Sequence, residues 1–119
     1  MDPLETLKFS CLIMNVSFCQ ESVNSGPVLK NTVTSITARR GSLVELPCVA
    51  NAVPLPQYFW SKDGTTVSAN ENRFTLRGGN LVISEVSVGD SGNYVCMVEN
   101  HLGKTSLTVR LEVTGVYMD

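Results

Sequence analysis

The run Asp90-Ser91-Gly92-Asn93-Tyr94-Val95-Cys96, taken with Cys48 and Trp60 upstream, constrains this chain more than any other feature. The two cysteines lie 48 positions apart, the only tryptophan follows the first by 12, and a tyrosine precedes the second by two. That spacing staples two antiparallel sheets face to face over a buried indole. An all-β sandwich is therefore expected, with Cys48 and Cys96 bonded between its layers. Such a scaffold hosts many unrelated functions, so function has to be read from surface residues.

A chain of 119 residues suits one domain with a single core and a short extension, and is too short for two. Charged residues make up 17 % of it and the net charge is −2. That balance supplies no field for a phosphate backbone, so nucleic acid is not an expected partner.

Residues 1–26 read as a signal peptide or a disordered leader. Residues 1–8 are polar, 9–19 lean apolar, and Ser17-Phe18-Cys19 offers small residues where a signal peptidase reads, with Val23-Asn24-Ser25 as a second option. Cleavage leaves Gln20 or Gly26 first. Asp2 and Glu5 make the first stretch acidic, and Ser10, Asn15 and Ser17 dilute the apolar one, which keeps the tail of an upstream segment open as an alternative. Removal of Cys11 and Cys19 with the leader leaves Cys48 and Cys96 as one even pair, suited to an oxidising compartment. Asn15-Val16-Ser17, the only glycosylation sequon, goes with it. No run of 18 apolar residues follows, so no direct membrane insertion is expected. A domain displayed on a cell would be held there by another part of a longer protein.

From residue 27 onward, short alternating runs are separated by turn residues. Residues 28–38 give two short strands, with Pro27 at the start, where a missing N–H does least harm. Val44, Leu46 and Cys48 alternate onto one face while Glu45 and Pro47 face away. Residues 50–56 read as a corner stiffened by Pro54 and Pro56. In the strand at 57–62, Tyr58 and Trp60 point inward and Phe59 and Ser61 outward, and Asp63-Gly64 turns the chain. A strand at 73–77 is followed by the turn Gly78-Gly79-Asn80 and by the inward Leu81 and Ile83. Tyr94, Cys96 and Val98 face the core of a final hairpin, which turns at 100–103 with Gly103 able to take positive φ and ends in a long strand at 105–113.

Residues 27–113 resemble an intermediate-set (I-set) immunoglobulin-like domain of the kind found in neural adhesion and axon-guidance receptors, similar to those of the Dscam, Roundabout and contactin families. The resemblance rests on Gly41, Leu46, Cys48, Ala50, Pro54, Pro56, Trp60 and Lys62-Asp63-Gly64. It continues through Arg73, Leu81, Ile83, the Asp90-x-Gly92-x-Tyr94-x-Cys96 run, Asn100, Gly103, Leu111 and Val113. Ala52 departs from it, because that family usually has glycine there. The domain thus spans 27–114, an I-set β-sandwich of two antiparallel sheets with Greek-key connections, and 115–119 form a tail or linker. The resemblance further implies an ion pair between Arg73 and Asp90. Closure of the loop between Cys48 and Cys96 is worth roughly 4 kcal/mol, comparable with the net stability of a small domain. Tyr94 is expected to tie its hydroxyl to backbone at the corner before its strand.

Cys48, Cys96, Trp60, Tyr94, Arg73 and Asp90 are scaffold, since the fold needs each of them. His101, the only histidine, sits at a hairpin tip with Glu99 as its nearest acid, and no cluster at ligand spacing accompanies it. Gly78-Gly79 lacks the strand-to-helix setting of a phosphate cradle. No metal, cofactor or catalytic set is expected, and the chain reads as a non-enzyme. Lys30, Arg39 and Arg40 form a small basic spot that could touch a sulfated glycan or an acidic partner, although three charges read first as solvated surface and glycan binding is not expected; Arg73 and Arg77 are charges that discourage pairing at a sheet edge.

The sharper candidate is the outward face of the strands at 57–62, 94–98 and 105–113. Alternation places Phe59 beside Val95 and Met97 on the solvent side, rimmed by Ser61, Glu99, Lys104 and Ser106. An aromatic ring beside a flexible thioether suits a protein contact. The expected function is extracellular, secreted or cell-surface adhesion and recognition of another protein, with a second copy preferred on resemblance alone. The alternatives are an intracellular mechanical module of the muscle giant-protein type, whose cysteines stay reduced, and a secreted immune-type recognition protein.

Overall fold

The computed structural model describes residues 24–67 and 73–115. Most of the expected leader, including Cys11, Cys19 and the Asn15 sequon, lies outside the described residues, as do 116–119. The order is β1 (Ser25–Leu29), β2 (Ser35–Arg39), β3 (Val44–Leu46), β4 (Ala50–Val53), β5 (Gln57–Lys62), β6 (Thr65–Thr66), β7 (Phe74–Arg77), β8 (Asn80–Ile83), a 3₁₀ turn (Val88–Asp90), β9 (Gly92–Asn100) and β10 (Gly103–Thr114). One layer is the sheet β2-β10-β9-β5-β6; facing it are β3-β8-β7 and the short pair β1-β4. The chain is an all-β immunoglobulin-like sandwich. Among the described residues its pairings are antiparallel apart from β2 against β10, which run parallel.

Side-chain alternation builds the core. Along β10, Leu107, Val109, Leu111 and Val113 are buried while Thr108, Arg110 and Glu112 are exposed. They meet Tyr94, Cys96 and Val98 from β9 and Trp60 from β5, against Val44, Leu46, Leu81 and Ile83 of the opposite layer. Cys48 and Cys96 form the disulfide between the layers, with Cα atoms 6.5 Å apart. Trp60 is 3 % exposed, and its Nε1–H donates to the Gly79 carbonyl at 2.9 Å. The indole's one polar atom is therefore satisfied inside an apolar gap.

Three local expectations are corrected. Residues 50–53 belong to a strand, β4, because Pro47 breaks the preceding one. Proline has no N–H and a fixed φ, so β3 stops at Leu46. Asparagine amides replace the lost ladder: Cys48 N–H donates to Asn80 Oδ1 at 2.8 Å and Val49 N–H to Asn31 Oδ1 at 2.7 Å. Pairing then resumes between β4 and β1. Pro27 lies within β1 and not at its start, in the irregular stretch where Ser25 pairs with Val53 and Val28 with Asn51; a bulge tolerates its missing donor. Gly103 does not take positive φ. The hairpin turn is made instead by Asn100, whose Oδ1 accepts from Leu102 N–H at 3.0 Å.

Candidate protein-binding face

The platform beneath the face is pinned at its lower end. Arg73 grips Asp90 with two parallel bonds, Nη1 to Oδ2 at 2.8 Å and Nη2 to Oδ1 at 3.0 Å. Asp90 is 7 % exposed and also accepts from Ser87 N–H at 2.8 Å. The Arg73 hydrogen bond holds its carboxyl below the usual carboxylate range, against the upward push of burial. The Asp90 carbonyl in turn accepts the Tyr94 hydroxyl at 2.6 Å. Burial pushes that phenol up to about 12, and the Asp90 charge adds to the effect. These groups lock the corner between β8 and β9 and set the register of β9.

On that platform the outward side chains form rows across the strands. Phe59 lies directly opposite Met97, and Met97 opposite Ser106. Val95 stands in the adjoining row between Ser61 and Thr108, and the row on the other side is Gln57, Glu99 and Lys104. Phe59 is 49 % exposed, while Val95, Met97 and Glu99 are half-buried and Lys104 is exposed. Phe59 and Met97 therefore share one row with Val95 in the next, and the polar row Gln57, Glu99 and Lys104 runs along one margin.

Other candidates are dispersed. The Lys30 N–H donates to Val49 O, whereas Arg40 N–H donates to Thr114 O, and β2 lies between them along the chain. Lys30 is thus anchored beside Val49 and Arg40 beside Thr114. Arg77 approaches Glu45 at 3.4 Å across the β3-β8-β7 sheet. His101 is exposed, and among the described residues no group of three or more His, Cys, Asp or Glu could hold a metal ion.

The residue whose role is not apparent from the sequence pattern is Asn100. Its Nδ2 donates to Ser25 O at 2.9 Å and to Pro54 O at 3.1 Å, which ties β1, the corner after β4 and the β9–β10 hairpin together. Its place in the motif is visible in the sequence, but partners 75 and 46 positions away are not. Beside it, Pro54, Leu55, Gln57, Glu99, Asn100 and His101 line an open cleft of about 310 Å³.

Residues 27–100 match the family described as "Immunoglobulin domain". Among curated relatives, hemicentin-2 of Mus musculus is 36 % identical over 88 residues, which cover 73 % of this chain and 2 % of that protein. The cell adhesion molecule DSCAML1 of Gallus gallus is 38 % identical over 93 residues, 78 % of this chain and 4 % of that protein. The solved N-terminal four immunoglobulin domains of Dscam1 isoform 6.9 superpose with a TM-score of 0.74 at 28 % identity, covering 81 % of this chain and 26 % of that one. The chain thus spans a few per cent of the length of the curated relatives it matches. The disulfide over the buried indole, the register of the sandwich and these likenesses together make this chain a member of the immunoglobulin domain family.

Proposed function

We propose that this chain is a non-enzymatic adhesion and recognition module, extracellular or at a cell surface, that binds another protein through the outward face of β5, β9 and β10. The observation that carries the reading is Phe59, half exposed and in register with Met97 on the central strands of the sheet. Glu99 and Lys104 form a polar margin of the kind that surrounds the apolar centre of a contact surface. The relative DSCAML1 is a cell adhesion molecule, and the likeness to it supports an adhesive role here. A second copy of the chain is the preferred partner. The formed disulfide favours an oxidising compartment over the reducing interior of a muscle cell. Were residues 1–26 to include a cleaved signal peptide, cleavage leaving Gln20 first would keep Ser25, whose carbonyl Asn100 uses.

Met97→Glu tests the face, because it places a charge at the apolar centre and leaves the core untouched. Sedimentation velocity is expected to show self-association of the parent chain and a monomeric variant. A variant that associates as strongly as the parent removes the face from consideration, and a parent that stays monomeric at high concentration removes the second copy as partner.

A further inference from the structure

The cleft at the upper margin of this face carries chemistry of its own. One wall is Pro54 and Leu55, the latter 89 % exposed and so presented to whatever enters. The other is Gln57 and Glu99, direct partners across β5 and β9, with Asn100 and His101 closing the end. Asn100 bonds Pro54 O with its Nδ2 and Leu102 N–H with its Oδ1, which fixes the two walls relative to each other. The cleft is preformed, which lowers the entropy lost on binding. Its volume is at the small end of ligand sites, about 300–1,000 Å³, and so suits one long side chain.

Glu99 supplies the charge. Among the described residues it closes no ion pair, although Lys104 lies directly opposite it on β10. Lys104 is on the far side of β9 from the cleft, whose lining contains neither lysine nor arginine. An acid on the wall opposite an apolar one matches a side chain with an aliphatic stem and a cationic head. We infer that the cleft seats an arginine or lysine side chain projected by a protein partner, its stem along Leu55 and Pro54 and its head on Glu99. The inference extends the proposed binding face by naming what the partner presents at its margin.

The probe is N-acetyl-arginine methylamide, titrated into the full chain and followed by amide proton–nitrogen NMR, with N-acetyl-leucine methylamide as control. Saturable shifts at Leu55, Glu99 and Asn100 in the millimolar range are expected. Glu99→Gln should weaken binding about tenfold by removing a charge-assisted hydrogen bond. Leu55→Ser, at a site too exposed to affect folding, should weaken it about threefold through lost stem contact. Equal binding by Glu99→Gln, equal binding of the leucine probe, or no shifts at the cleft would overturn the inference. The titration requires nothing of Phe59 or Met97, so its failure is distinguishable from failure of the face.

Discussion

Gly78 and Gly79 are adjacent and are glycine for different reasons. Gly78 turns the chain with φ +62° and has open space around it, so a side chain there would strain only the backbone. At Gly79 an added Cβ would lie 2.4 Å from Tyr58 Cε2 and 2.5 Å from the Cys48 carbonyl oxygen. The same residue offers its carbonyl to the Trp60 indole. Gly79→Ala must therefore move the tyrosine ring or the segment between β3 and β4 that carries Cys48, and overpacking of this kind costs about 1–3 kcal/mol. The melting temperature should fall by about 5–20 °C in calorimetry, and by more than in Gly78→Ala; equal losses in the two variants would show that the close approach is relaxed at no cost. The dipeptide was legible in the sequence as a turn. The crowding at its second residue was not, because Tyr58 and Cys48 reach it only through the fold.

At the scale of elements, the corner between β8 and β9 is held by charge as well as by packing. Arg73, just before β7, donates to the Ser84 carbonyl as well as to Asp90, so one side chain joins β7, the end of β8 and the 3₁₀ turn. The Asp90 carboxyl titrates lower in the fold than in the unfolded chain, chiefly because of Arg73. Its contribution is complete above the unfolded value of about 3.9 and is lost as pH falls through the lower folded value. Urea midpoints of the parent chain should therefore drop below about pH 4 more steeply than those of Asp90→Asn, which has no such carboxyl to protonate. Parallel pH profiles would mean that the ion pair contributes nothing to stability. The elements themselves followed alternation closely: the strand at 57–62 has the bounds read from its pattern. Residues 50–53 did not, since two nearby prolines mark a corner while pairing with β1 turns the segment into a strand.

For the whole molecule, the staple between layers is the largest single contribution that can be removed by chemistry. The bond closes a loop between residues 48 positions apart, which takes roughly 4 kcal/mol of entropy from the unfolded chain. A Cys48→Ala, Cys96→Val double variant should lose an amount of that order in urea denaturation at neutral pH; an unchanged midpoint would show that packing around Trp60 suffices alone. The two-layer β fold, the bond between Cys48 and Cys96 and the inward set on β9 were legible before folding, because period-two alternation and fixed spacing are properties of a single strand. Tertiary structure decided what depends on several strands at once. It set Phe59 directly opposite Met97, anchored Lys30 at Val49 and Arg40 at Thr114, and gave Asn100 its partners on β1 and beside β4. Alternation states which face a side chain occupies, but only the register between strands states who its neighbours are, and binding surfaces are made of neighbours.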